Sequence, residues 1–91
     1  MSIENLENIR KRLIFRSWHR GTKELDLIFG PFSESCVPGF GEDDLAAYDR
    51  LLECNDPEVY GWVTGKATPK NPELASMIEK ICTFIADRKF S

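Results

Sequence analysis

A chain of 91 residues has room for one hydrophobic core and not for two, since a domain of this size buries roughly 60–70% of the surface its unfolded state exposes. With 42% hydrophobic and 11% aromatic residues the composition is that of a soluble globular protein, and no apolar run approaches the roughly 18 residues a membrane helix needs. The formal charge of -3 disfavours a protein whose task is gripping phosphate backbones, and three widely spaced cysteines (Cys36, Cys54 and Cys82) with a single histidine, His19, argue against a metal site or a disulfide framework.

The first helix is expected from about Ile3 to His19. Ser2 is placed to cap it, and Glu4 early with Arg10, Lys11, Arg12 and Arg16 later complement the helix macrodipole. Leu6, Ile9, Leu13, Ile14 and Trp18 recur at three to four residues and mark one buried stripe. Gly21 is a natural stop. A second helix beginning near Thr22, with Leu25, Ile28, Phe29 and Phe32 on its apolar side, should fold back on the first as a hairpin. Pro31 lacks the backbone donor a helix interior requires, which predicts a kink or an end near Gly30-Pro31. Ser33 to Gly41, with Pro38, Gly39 and Gly41, then reads as the longest loop.

Glu42, Asp43 and Asp44 suit the start of a third helix, which Leu45, Tyr48, Leu51 and Leu52 carry to about Glu53. In Asp56-Pro57-Glu58 the spacing assigns the N-cap to Asp56 and the first helical position to Pro57, opening a short helix that ends by Gly65 and packs through Val59, Tyr60, Trp62 and Val63. Asn71-Pro72-Glu73 repeats that signal. Leu74, Met77, Ile78, Ile81, Cys82 and Ile85 continue at helical spacing to about Asp87. The expected fold is therefore all-α: a single domain over residues 1–91, a helical bundle of about five helices.

No catalytic signature accompanies these helices. There is no glycine-rich phosphate loop, no nucleophile with a paired base, and His19 has no partner at a motif spacing, so an enzyme is not expected. The aromatics Trp18, Phe29, Phe32, Tyr48, Tyr60 and Trp62 read as core rather than as a flavin-stacking site. The basic run from Arg10 to Lys23 belongs mostly to the first helix, whereas a helix-turn-helix reads DNA with its second, which here begins with Glu24 and Asp26. The most informative cluster is Arg20-Gly21-Thr22-Lys23-Glu24 at the expected helix-helix corner. There a glycine free to adopt positive φ would let a partner backbone approach, while exposed Arg20 and Glu24 offer a donor fork and an acceptor. The competing reading makes Gly21 an ordinary helix terminator and Arg20 with Glu24 a surface ion pair.

His19 to Asp26, followed by Pro31-Phe32, is similar to the Arg-Gly-x-x-Glu signature of the succinate dehydrogenase flavinator family. Leu51-Leu52-Glu53-Cys54-Asn55-Asp56-Pro57-Glu58, with Trp62, resembles that family's Leu-Leu-x-x-x-Asp stretch leading to a tryptophan. The likeness runs from about Arg16 to Ile81. It implies a small helical assembly factor that binds the flavoprotein subunit of succinate dehydrogenase, or of fumarate reductase, and promotes covalent attachment of FAD to a client histidine. It further implies a partner-binding face at Arg20, Gly21, Glu24 and Asp26; no cofactor of its own is expected, nor, from the charge and apolar pattern above, a nucleic-acid or membrane partner, and the free protein is expected to be a monomer. Without an apolar leader, and with Glu4 and Glu7 where a transit peptide is poor in acids, a bacterial cytoplasmic member is expected, or else a processed form in the mitochondrial matrix. Two further readings stand beside this one: an antitoxin-type protein that opposes a small toxin, and a nucleic-acid-binding regulator.

Overall fold

The computed structural model describes residues 3–89. Five helices follow in chain order: α1 (Ile3–Ser17), α2 (Lys23–Cys36), α3 (Glu42–Glu53), α4 (Asp56–Val63) and α5 (Pro72–Lys89). No strand occurs among the described residues, so the fold is all-α as the periodicity requires. The Ser2 cap expected for α1 lies outside the described residues.

Apolar stripes at helical spacing converge on one cluster. Leu13 from α1, Leu25, Phe29 and Phe32 from α2, Tyr48 and Leu51 from α3, Val59 from α4 and Ile81 from α5 are all fully buried there. Phe32 and Tyr48 join its aromatic rings: Phe32 has ring centroids 5.7 Å from Tyr48, 5.7 Å from Phe84 and 6.2 Å from Phe40, and Tyr48 also meets Phe29 and Phe40. One polar link crosses this core. The Ser17 hydroxyl donates to the Leu13 carbonyl at 2.7 Å, so the Tyr48 hydroxyl, 2.6 Å away, must donate to Ser17.

Three expectations about local structure are corrected. Helix α2 runs through Pro31 to Cys36, so of the kink or end expected near Gly30-Pro31 the end does not occur. Leu27, whose carbonyl the proline cannot serve, has a 65% exposed side chain, which puts that turn in reach of water. Beyond the proline, Phe32 and Val37 are fully buried, and their burial opposes a break that would withdraw them from the core. The expected loop from Ser33 to Gly41 is thus mostly ordered: α2 continues into a 3-10 turn over Val37–Gly39, and Arg10 Nη2 holds the Phe40 carbonyl at 2.8 Å. The longest described connection is instead 64–71, where Gly65 takes φ 80° and Lys66 N bonds Gly61 O at 2.9 Å.

The third correction is a shift by one residue. Asn55, not Asp56, caps α4: its side-chain oxygen accepts from Glu58 N at 2.9 Å while its amide donates to Glu58 Oε1 at 3.1 Å. Asp56 becomes the first helical residue, Pro57 the second, and the Asp56 carboxylate is left free to turn elsewhere. Two aromatics also depart from the core reading, since Trp18 lies over Gly30 at the surface and Tyr60 is 40% exposed.

Candidate partner-binding site

Helix α1 gives way at Trp18 and His19, whose backbone N–H groups reach back only three residues, to Phe15 and Arg16. His19 stacks on Phe15 with ring centroids 4.1 Å apart, and its Nδ1 lies 2.7 Å from the Phe15 carbonyl, an exposed structural contact. Thr22 starts α2 by accepting from Leu25 N at 3.3 Å, and Asp26 reaches back to accept from the Arg20 backbone N–H. The corner is therefore closed by side chains on both sides of Gly21.

The Arg20 side chain does not lie exposed as expected. It is only 8% accessible and pairs not with Glu24 but with Asp56, Nη2 to Oδ1 at 2.6 Å. Nη1 also donates to Leu52 O at 2.6 Å and Nη2 to Cys54 O at 3.2 Å. Those carbonyls belong to the C-terminal end of α3, where the helix leaves acceptors unserved and the macrodipole favours a cation. The guanidinium lies 5.6 Å from the Phe29 ring centroid, and its Nε is buried with no hydrogen-bond partner. A single side chain so ties the α1-α2 corner to the end of α3 and the start of α4.

Gly21 is likewise needed for a reason other than the one expected. Its φ is not positive, yet a Cβ there would stand 2.1 Å from Asp56 Oδ2. Glu24 does lie exposed, beside an open groove of about 350 Å³ lined by Thr22, Glu24, Asp56, Pro57 and Tyr60. Of the four residues implied at this face, then, Glu24 borders the groove, Gly21 forms the exposed turn, the Arg20 side chain faces inward, and the half-buried Asp26 holds the Arg20 backbone N–H. Asp56, Pro57 and Tyr60 line the same groove and were not among the residues the sequence singled out for it. The signal that could have pointed to Asp56 and Pro57 was the second family-like segment, which contains them; Tyr60 lies just beyond it.

Three arginines of the basic run are engaged within the fold. Arg10 serves Phe40 O, Arg16 bridges Asp49 at 2.6 Å and Glu53 at 2.7 Å, and Arg20 is engaged as above, which leaves Lys11, Arg12 and Lys23 as the exposed cations of the run. The three cysteines are unpaired and half-buried, and burial pushes each thiol up from its ordinary range, so they stay protonated at neutral pH. No group of three His, Cys, Asp or Glu among the described residues is arranged to hold a metal ion, and no described helix is long and apolar enough to cross a membrane.

Several curated bacterial proteins are similar to this chain. The FAD assembly factor SdhE of Shewanella oneidensis is 39% identical over 62 residues, covering 68% of this chain and 76% of that protein. The protein of the same name from Pseudomonas aeruginosa is 36% identical over 66 residues, with coverage of 70% and 79%, and that of Vibrio vulnificus 40% over 62 residues, with 68% and 72%. The family described as flavinator of succinate dehydrogenase matches residues 11–85, from the middle of α1 to the last turns of α5 with the whole Arg20 corner inside, and the chain belongs to that family.

Proposed function

We propose that this protein is a cytoplasmic FAD assembly factor: it binds the flavoprotein subunit of succinate dehydrogenase, or of fumarate reductase, and promotes covalent attachment of FAD there. The observation that carries this reading is the exposed groove beside Glu24, built on the corner that the family match spans. The groove offers an acidic side chain and a half-exposed tyrosine on a rigid helical frame, a surface suited to docking a protein. Of its polar groups, Thr22 Oγ1 accepts from Leu25 N and Asp56 is paired with Arg20, and the thiols lie elsewhere.

The protein works without acid, base, nucleophile or cofactor of its own, as a monomer and through this face. Binding the reactive arrangement of the client more tightly than its alternatives raises the population of that arrangement, and the client's own groups then complete the bond to flavin. Differential affinity is sufficient.

The test mixes apo flavoprotein subunit, FAD and this protein with no other factor. Covalent flavin survives denaturation and is read by fluorescence in a denaturing gel. It should accumulate faster than in the mixture lacking the protein, and Glu24→Ala, whose side chain is exposed, should stay folded and slow it. Equal rates with and without the protein, for both the succinate dehydrogenase and the fumarate reductase subunits, would refute the proposal.

A further inference from the structure

The two leading positions of the Arg-Gly-x-x-Glu corner converge on one carboxylate. Arg20 Nη2 binds Asp56 Oδ1 at 2.6 Å, while Asp56 Oδ2 and Cγ stand 2.1 and 3.3 Å from where a Gly21 Cβ would be. Among the described residues, no other heavy atom beyond the adjoining residues comes within 4 Å of that point. With φ outside the left-handed region, Gly21 is glycine because the space is taken, not because the backbone demands it. Asp56 can occupy that space because Asn55 has taken the cap and made Asp56 the first residue of α4.

Arg20 is poorly placed to meet a partner. Both of its terminal nitrogens are engaged, its Nε is buried, and an incoming group would have to displace a backbone carbonyl or Asp56. Tyr60, one turn beyond Asp56 on α4, is open to solvent, and so is Glu24. A tyrosine presenting an apolar ring and a polar tip is the side-chain type enriched at binding hot spots.

Resting on the flavoprotein-binding reading above, we infer that Arg20 and Gly21 are positioning residues that act on the client through Asp56. They hold that carboxylate so that α4 sets Pro57 and Tyr60 beside Thr22 and Glu24, and the client touches this groove rather than the guanidinium.

Two mutant cycles test it, each read by melting temperature and by affinity for the apo flavoprotein subunit at a temperature where circular dichroism shows every variant folded. In the first, Gly21→Ala is made alone and together with Asp56→Ala. The added methyl should lower the melting temperature and weaken binding by about tenfold when Asp56 is present, and change affinity by less than about twofold when position 56 is alanine. In the second, Arg20→Ala should weaken binding about tenfold alone and add no further loss in the Asp56→Ala background. Asp56→Asn, which keeps the shape and the acceptor toward Arg20, should restore affinity to within about threefold of wild type, a rescue that general destabilisation does not predict. If the Gly21 methyl costs the same factor in both backgrounds, or Arg20→Ala and Asp56→Ala losses multiply, the client touches the corner itself and the inference is overturned. Failure of Asp56→Asn to restore binding overturns it as well, by making the charge a client contact. If wild-type protein binds no flavoprotein, the functional reading fails separately, while the melting temperatures of the first cycle still decide whether Asp56 fills the space at Gly21.

Discussion

Replacing Arg20 with alanine should destabilise this protein far more than truncation of a corner arginine normally does. The side chain makes one ion pair at 2.6 Å, one short hydrogen bond to Leu52 O at 2.6 Å and a longer one to Cys54 O at 3.2 Å. A hydrogen bond to a charged group contributes about 1.5–3 kcal/mol, and removing one partner of a fully buried pair costs about 3–5 kcal/mol. Two features of the site reduce that sum. The Asp56 side chain is 23% exposed and regains water once unpaired, and the unsatisfied Arg20 Nε already costs something in the native state. A net loss of about 3 kcal/mol is the reasonable magnitude, against under about 0.5 kcal/mol for an exposed truncation. At about 4–8 °C per kcal/mol for a domain of this size, the melting temperature should fall by about 12–24 °C. Thermal melts followed by circular dichroism measure it, with Glu24→Ala as an exposed control expected to move by no more than about 4 °C. An Arg20→Ala shift as small as that of the control would refute the assignment of Arg20 as a buried strut.

The Tyr48→Phe variant removes the donor to Ser17 Oγ in a fully buried site and should cost about 1 kcal/mol, read by urea unfolding with an unchanged slope; an unchanged midpoint would contradict the link. Gly30→Ala would place a methyl 2.4 Å from the Trp18 ring, so it should lower stability by about 1–3 kcal/mol and shift tryptophan emission as that ring is forced outward; wild-type emission and melting would show that the ring is not seated there. Stability should also fall on the alkaline side. Burial raises the Tyr48 hydroxyl and the Cys36, Cys54 and Cys82 thiols above their ordinary values, so over that range the unfolded chain binds fewer protons than the native one. The stabilisation these groups give is full below their unfolded pKa values and is lost as pH rises from about 8.5 for the thiols and about 10 for the tyrosine toward the raised native values. Melting temperatures that stay flat or rise from about pH 8 to pH 11 would contradict this.

Much of the fold was legible because its causes are local. The apolar stripe of α2, the acidic start of α3 and the Asn71 cap of α5, whose Oδ1 accepts from Glu73 N at 2.8 Å, all depend on residues within a turn or two of one another. Pro31 marks where that legibility stops: the local penalty of a proline is real, but burial of Phe32 and Val37 against distant helices outweighs it. The candidate site divides the same way. Its motif and the exposure of Glu24 could be read from the chain, whereas the orientation of Arg20 could not, because its acceptors on Leu52, Cys54 and Asp56 lie 32, 34 and 36 residues away. A one-residue shift of the α4 cap, from Asp56 to Asn55, freed the carboxylate that meets Arg20 and fills the space at Gly21. The sequence by itself determined that there would be a helical corner with an arginine, a glycine and a glutamate. Only the packing of α3 and α4 against that corner decided which of the three turn inward, since a guanidinium goes where charged and carbonyl acceptors converge, and that convergence exists only in the folded chain.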